Sequence, residues 1–384
     1  MKIAYVIDSL ASKGGAERIL SDKMNYMAEH FGYDVYVITC YQNTTTDPNV
    51  YYLSDKVKQV NLSIHYYAQY HYRYPMRLWV KSSIYRRMKN GLIAAVQQID
   101  PDVLVGLGYF NADLVCGIKC RARKIVESHE ARIFTMSDRG LSRSFFSREY
   151  MKFYRNRYFR RIEKIADVVV TLTNGDAKEW TKARRIEVIP NFTVMPVVKQ
   201  STCDNKRVIA VGRLEWQKGF DRLVDAWSIV NKKHSDWQLT IFGSGSLENS
   251  LKQQISDHGL RNVTIHSFTP DINKEYSESS VFVLSSRFEG FGLVLLEAMQ
   301  SGLPCVTFDC PFGPSDVVGD GVNGFVVPDG DIPSFAEKLS RLLEDDTLRK
   351  TYSQGSVERA KLFDVEVVMG RWKTLIEDLC SQRA

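Results

Sequence analysis

Nothing in this sequence approaches ~18 uninterrupted apolar residues, so no segment of it predicts a membrane-spanning helix. The start, Met1-Lys2-Ile3-Ala4-Tyr5-Val6-Ile7-Asp8, has too short an apolar run for the core of a secretory signal. Cysteine is scarce and unpatterned: seven residues, at 40, 116, 120, 203, 305, 310 and 380, with no CxxC and no paired spacing. That argues against a disulfide frame or a zinc site and for reduced small hydrophobes in a cytosol. A strong charge of one sign is missing too, since the net charge is only +6. With 44% hydrophobic and 25% charged residues, the composition is that of a globular protein. A length of 384 residues predicts two domains, each able to bury a core.

Charge is unevenly divided. Residues 1–190 hold 30 Lys and Arg against 19 Asp and Glu, a surplus of +11; the remaining 21 basic and 26 acidic residues give −5. The change falls at Ile189-Pro190-Asn191-Phe192, followed by the polar run Lys199 to Arg207, which reads as a linker. Short β-branched runs alternate with helical patterns on both sides of it. Strands are expected at Lys2–Ile7, Val35–Thr39, Val103–Val105, Lys124–Glu127 and Val168–Thr171. Beyond the linker they are expected at Arg207–Val211, Gln238–Phe242, Val263–Ile265, Val281–Leu284, Pro304–Thr307 and Gly324–Val326. Helices are expected over Phe220–Lys232 and Leu293–Ser301. This is an α/β pattern of two doubly wound parallel sheets, with ligands expected at the strands' carboxyl ends and in a cleft between the halves.

Several loops at such ends carry suitable chemistry. Lys13-Gly14-Gly15-Ala16-Glu17 leads from the first strand into a helix: either the backbone approaches an anion there, or the turn merely needs a positive φ. Gly212-Arg213-Leu214-Glu215-Trp216-Gln217-Lys218-Gly219 sets an Arg and a Lys five apart, a planar fork and a point charge suited to a diphosphate. The alternative is two solvated surface cations. Gly243-Ser244-Gly245 is only a fragment of GxGxxG, because position 248 is Glu, and gives little support to a dinucleotide site. Arg287-Phe288-Glu289-Gly290-Phe291-Gly292-Leu293 follows an apolar strand and opens a helix whose first N–H groups lack intrahelical partners. Glu297, flanked by Leu295, Leu296, Ala298 and Met299, has little solvated face and reads as an acceptor for a ligand's hydroxyls.

Taken together, these pieces resemble the retaining GT-B glycosyltransferases of family four, the glycosyl transferases group 1, of the bacterial polysaccharide and lipid-linked glycan type. The resemblance rests on Gly14-Gly15-Ala16-Glu17, Gly212-Arg213-Leu214 with Lys218-Gly219, Gly243 and Gly245, and Glu289-Gly290-x-Gly292 with Glu297-Ala298. Gly302-x-Pro304, Gly321-x-Asn323-Gly324-Phe325 and Val188-Ile189-Pro190-Asn191 extend it in order along nearly the whole chain. Two positions depart: Phe192 stands where many relatives have Gly, and Ser128-His129-Glu130 where many have His-Asp.

The resemblance implies a GT-B architecture with an acceptor-side domain over 1–190 and a nucleotide-sugar domain over 191–363, the final segment 364–384 packing back on the first. It implies a nucleotide-sugar donor, a UDP-sugar ahead of GDP or ADP, and a glycan or lipid-linked saccharide acceptor. Arg213 and Lys218 would neutralise the diphosphate, and Glu297 would accept from the ribose. Glu289 and the N–H groups of Phe291, Gly292 and Leu293 would hold the transferred sugar. Gly14 and Gly15 would close over the phosphates, the backbone near Thr269 would read the base, and His129 would lie beside the reacting sugar. Transfer with retention would need neither a carboxylate nucleophile nor a metal, unlike the paired carboxylates of retaining glycosidases. A GT-B relative that epimerises or phosphorolyses sugars, and a basic nucleic-acid binder, are the alternatives.

Asp100-Pro101-Asp102 spells the DxD of metal-dependent transferases but precedes a strand, so it is expected to be a helix-to-strand turn. The basic surplus concentrates in two stretches. His65–Asn90 carries Arg73, Arg77, Lys81, Arg86, Arg87 and Lys89 with no acid, interleaved with Tyr66, Tyr67, Tyr70, Tyr72, Tyr74, Trp79 and Tyr85. Arg139–Lys164 carries nine basic residues, Arg160 and Arg161 among them, against Glu149 and Glu163. Such mixtures suit an anionic membrane surface or an acceptor's pyrophosphate; otherwise the aromatics pack inward. The expectation is a cytoplasmic protein, peripheral on the inner face of the cell membrane, with Arg86, Arg87, Arg160 and Arg161 at the membrane or acceptor, and no nucleic-acid partner.

Overall fold

The computed structural model describes all residues except 13, 44, 130, 131, 133–144, 195–198, 270, 383 and 384, and all side chains of the remainder except those of 67, 109, 145–152, 154 and 155. Lys13, Glu130 and the Arg139–Ser144 part of the second basic stretch therefore lie outside the described residues. The chain divides into two compact units, one of residues 1–172, 176–189 and 369–384, the other of 173–175 and 190–368.

The first unit is built on a seven-stranded parallel sheet of β1 (Lys2–Ile7), β2 (Asp34–Thr39), β3 (Lys58–Asn61), β4 (Val103–Leu107), β5 (Arg123–Ser128), β6 (Val168–Thr171) and β7 (Ile186–Val188), in the order β3-β2-β1-β4-β5-β6-β7. The second holds β8 (Arg207–Val211), β9 (Gln238–Phe242), β10 (Val263–His266), β11 (Val281–Leu284), β12 (Cys305–Asp309) and β13 (Gly324–Pro328), in the order β10-β9-β8-β11-β12-β13. Counted within each unit, the order is 3-2-1-4-5-6, the doubly wound Rossmann arrangement, with a seventh strand added to the first sheet. Central strands such as β4, β6 and β11 are buried throughout, because helices cover both faces and every second residue must be apolar on each. The two strands absent from the sequence reading, β3 and β7, are short edge strands of three or four half-exposed residues, where that signal fades.

The helix Met76–Ile99 covers one face of the first sheet with Ile84, Met88, Leu92, Ala95, Val96 and Ile99, which pack against Ala4, Val6, Ile38 and Leu104. Phe159 and Ile162, from the helix Phe145–Ile165, join Trp180, Val126 and Val169 in a second cluster. The last helix, Val365–Ser381, returns to this unit: Tyr33 hydroxyl bonds Glu377 at 3.2 Å, and Arg371 donates to the Val188 carbonyl at 2.7 Å. In the second unit, Leu223, Val224 and Trp227 of the helix Phe220–Val230 meet Leu239, Val283, Phe308 and Phe335. Each such fully buried side chain contributes about 1.5–3 kcal/mol through burial. Among the described residues, no helix is long and apolar enough to cross a membrane.

Candidate active site

In a 3-2-1-4-5-6 sheet the strand order reverses between the first and fourth strands, and the loops leaving their carboxyl ends flank a crevice. In the second unit these are the loop after β8, Gly212–Gly219, and the loop after β11, Ser285–Gly292. They are tied together closely. Gln217 donates to the Phe288 carbonyl at 3.2 Å, Arg287 N–H donates to the Gln217 carbonyl at 2.8 Å, and the Ser285 hydroxyl donates to the Lys218 carbonyl at 3.0 Å. Gly219, at φ +61°, lies so near that an added Cβ would fall 2.2 Å from the Ser285 carbonyl oxygen. Only glycine permits this approach.

The lacing brings Lys218 to Glu289. Lys218 Nζ stands 2.7 Å from Glu289 Oε1, and the Ser286 hydroxyl donates to the same oxygen at 2.5 Å. Glu289 is 5% exposed. Its backbone is held too, since its N–H donates to the Pro311 carbonyl and its carbonyl accepts from Phe312, both at 3.2 Å. Gly313, at φ +121°, backs directly onto Phe291. Residues 310–313, the loop after β12, thus support the glutamate; the Pro and Gly cluster directly after a strand was the available sign of it.

Gly292 is left-handed (φ +86°) and caps the helix Leu293–Gln300, whose N-terminus has no side-chain cap. Phe291 is buried, and Leu293 is the first residue of that helix. Glu297, on the same helix, is buried and accepts from the Tyr276 hydroxyl at 3.3 Å. Arg213 is exposed, its guanidinium 3.3 Å from the Gln217 side-chain oxygen. Thr269 follows β10 at the same edge of the sheet, its hydroxyl accepting from the Asp271 N–H. The Gly243-Ser244-Gly245 fragment has a packing reason: a Cβ at 243 would meet the Gly212 carbonyl oxygen at 1.8 Å, and one at 245 the Leu214 carbonyl at 2.4 Å. These glycines let two loops cross.

In the first unit, Gly14 sits at φ −98° as the N-cap of the helix Gly15–His30. A positive φ is therefore not what calls for glycine there. A Cβ would instead fall on the Glu17 carboxylate, which the Ser12 hydroxyl also binds. At this sheet's own switch point, Asn111 donates to Asp8 at 3.1 Å, and burial pushes the Asp8 carboxyl above its usual range. His129 follows β5, with Nε2 2.9 Å from Glu127 Oε2. Lys23 Nζ reaches the same carboxylate, 2.6 Å from Oε1 and 2.5 Å from Oε2. Neither partner figured in the sequence reading. The signs were a lysine within the buried stripe Ile19, Leu20, Met24 and Met27 of its helix, and a glutamate within a buried strand. Asp176 pins the segment around His129, accepting from the Ser128 hydroxyl at 2.6 Å and the Arg132 N–H at 2.9 Å.

Asp100 and Asp102 do form the turn between the helix Met76–Ile99 and β4. Asp102 accepts from the Lys2 N–H, and Asp100 pairs with Arg121. Among the described residues, no group of three His, Cys, Asp or Glu side chains is placed to hold a metal ion. The first basic stretch divides its aromatics. Tyr66 and Tyr85 pack on Phe110, whereas Tyr70, Tyr72, Tyr74 and Trp79 are exposed, Trp79 by 80%. Arg86, Arg87, Arg160 and Arg161 are all exposed, and Arg161 is in addition paired with Asp113 at 3.2 Å.

Residues 196–359 match the family described as glycosyl transferases group 1. Over 98% of this chain and 99% of the relative, the sequence is 28% identical to an uncharacterized glycosyltransferase of Haemophilus influenzae. Over the same shares it is 26% identical to the amylovoran biosynthesis glycosyltransferase AmsD of Erwinia amylovora. Among solved structures, a variant of S. aureus TarM in complex with fondaparinux, alpha-GlcNAc-glycerol and UDP superposes with a TM-score of 0.75 at 16% identity, covering 98% of this chain and 100% of that one. The last likeness is one of fold, the GT-B pair of Rossmann-like domains. Over residues 196–359 the chain is thus similar to the group 1 glycosyltransferases, and over nearly its full length to proteins named as glycosyltransferases.

Proposed function

We propose that this protein is a glycosyltransferase that moves a hexose or N-acetylhexosamine from a UDP-sugar to a glycan or lipid-linked saccharide, with retention of anomeric configuration, in envelope polysaccharide synthesis. The observation that carries the reading is the Lys218–Glu289 pair at the switch point of the second sheet, beside the exposed Arg213 and the opening turn of the helix Leu293–Gln300. The relatives add to it: AmsD is named for polysaccharide biosynthesis, and TarM was solved with UDP and a GlcNAc glycoside.

Arg213 and Lys218 neutralise the diphosphate, including the charge that builds as it departs. Glu297 accepts from the ribose hydroxyls, and the backbone near Thr269 reads the base. Glu289, with the N–H groups of Phe291, Gly292 and Leu293, holds the transferred sugar; Gly14 and Gly15 close over the phosphates, and His129 attends the reacting sugar. The acceptor hydroxyl attacks on the face from which the diphosphate leaves. Its oxygen bonds the anomeric carbon as the bond to phosphate breaks, and its proton passes to the leaving diphosphate. Two side-chain cations do the neutralising in this scheme, so no metal is called for. The exposed Tyr70, Tyr72, Tyr74 and Trp79, beside Arg86 and Arg87, suit an anionic membrane surface, where a lipid-linked acceptor on the cytoplasmic side would be found. Transfer assayed with Glu289→Ala and Arg213→Ala tests the site, and full activity in either would overturn it.

A further inference from the structure

Lys23 and Glu127, which the transfer scheme does not use, form a buried chain with His129. Glu127 is 3% exposed and Lys23 1%. Lys23 binds both carboxylate oxygens, and His129 Nε2 meets Oε2 from the other side. The last helix closes the chain, with the Trp372 ring 4.2 Å from Lys23 Nζ and the Tyr5 ring 5.2 Å away. Among the described residues, the charged and titratable groups around the carboxylate are Lys23 from the first helix, His129 beyond β5 and Tyr5 from β1. A buried ion pair is not by itself a source of stability, since apolar residues of like volume serve as well. Its geometry points instead to a task.

We infer that Lys23 and Glu127 are positioning residues that set the imidazole of His129 in the tautomer with Nε2 protonated, presenting Nδ1 as the hydrogen-bond acceptor for a sugar hydroxyl. An ionised carboxylate only accepts, so the ring nitrogen facing it must carry the proton. Lys23 keeps that carboxylate ionised despite its burial. Burial alone would raise its pKa, and the ammonium together with His129 outweighs this and holds it below the usual range. Were Glu127 protonated, its O–H could donate to Nε2, and the ring would turn over to the other tautomer. The inference rests on the proposed role of His129 beside the sugar; the tautomer itself does not depend on that role.

The test is the imidazole nitrogen spectrum of the full chain labelled with 15N-histidine, the His129 signals being those lost in His129→Gln. The wild type should show Nε2 protonated. Lys23→Met should shift His129 toward Nδ1 protonation, and Glu127→Gln, which can donate or accept, should give a mixture. In transfer assays both variants should lose about 10- to 100-fold in kcat with donor KM little changed, as for removal of other groups that orient an active-site histidine. A wild-type ring protonated at Nδ1, or a tautomer indifferent to both substitutions, overturns the inference. Lys23→Arg keeps a cation beside Glu127 and should retain the wild-type tautomer; if Lys23→Met fails to fold, Glu127→Gln carries the comparison. Should the tautomer shift as stated while His129→Gln transfers sugar normally, the positioning stands and the proposed role of His129 fails.

Discussion

Lys218 Nζ lies 2.7 Å from Oε1 of Glu289, joining the loop after β8 to the loop after β11 across the switch point of the second sheet. The two groups have separate proposed assignments, the lysine to a diphosphate and the glutamate to a sugar, and they are paired with each other.

Lys218→Met should therefore do two things. It leaves a buried carboxylate with Ser286 as its remaining side-chain donor, costing about 3–5 kcal/mol of stability in a denaturant titration. It also removes a diphosphate cation, lowering kcat by about 10²- to 10³-fold. A stable variant with normal turnover would contradict both expectations.

The glycines lead to two different expectations. Gly219→Ala forces a side chain onto φ +61° and drives Cβ into the Ser285 carbonyl, so a drop in Tm of several degrees or failure to fold is expected. At Gly14 the φ is ordinary and the obstacle is a movable glutamate side chain. Gly14→Ala should melt within a degree or two of wild type while weakening protection by UDP-sugars in a thermal shift assay.

Much of this architecture was legible beforehand. The buried strands β1, β6, β8, β9 and β11 fall where their β-branched runs predict. The doubly wound order follows from alternating strands and helices, and the motif loops do lie at strand ends. What escaped was set by contacts distant in sequence. Lys23 and Glu127 are 104 positions apart, and no local pattern pairs them. Residues 310–313 gain meaning only once they are seen against Glu289. Gly14 was allowed a positive φ because glycine permits one; the structure uses its missing side chain instead.

On the first basic stretch, four exposed aromatics lie with exposed arginines. Attraction to an anionic surface contributes about 1 kcal/mol per basic residue. Arg86→Glu with Arg87→Glu should weaken binding to phosphatidylglycerol vesicles by at least about tenfold, and Trp79→Ala should weaken it with less salt dependence. Arg160→Glu is the better probe of the second stretch, because Arg161 is engaged by Asp113. Unchanged sedimentation with vesicles in all three would exclude the membrane face.

Glu127 also makes a pH prediction. Its folded pKa lies below the unfolded value of about 4.3, so its contribution to stability is present above that pH and lost as pH falls through the folded value. The Tm difference between wild type and Glu127→Gln should hold steady from pH 7 to about 5 and shrink on further acidification. A difference that grows in acid would mean the carboxylate is neutral in the fold.

The most direct test of the account is acceptor-dependent UDP release from a panel of UDP-sugars, comparing wild type with Glu289→Gln. The account predicts release by the wild type that requires a saccharide acceptor, and a loss of at least about 10²-fold in the variant. Equal release by the two proteins would contradict it.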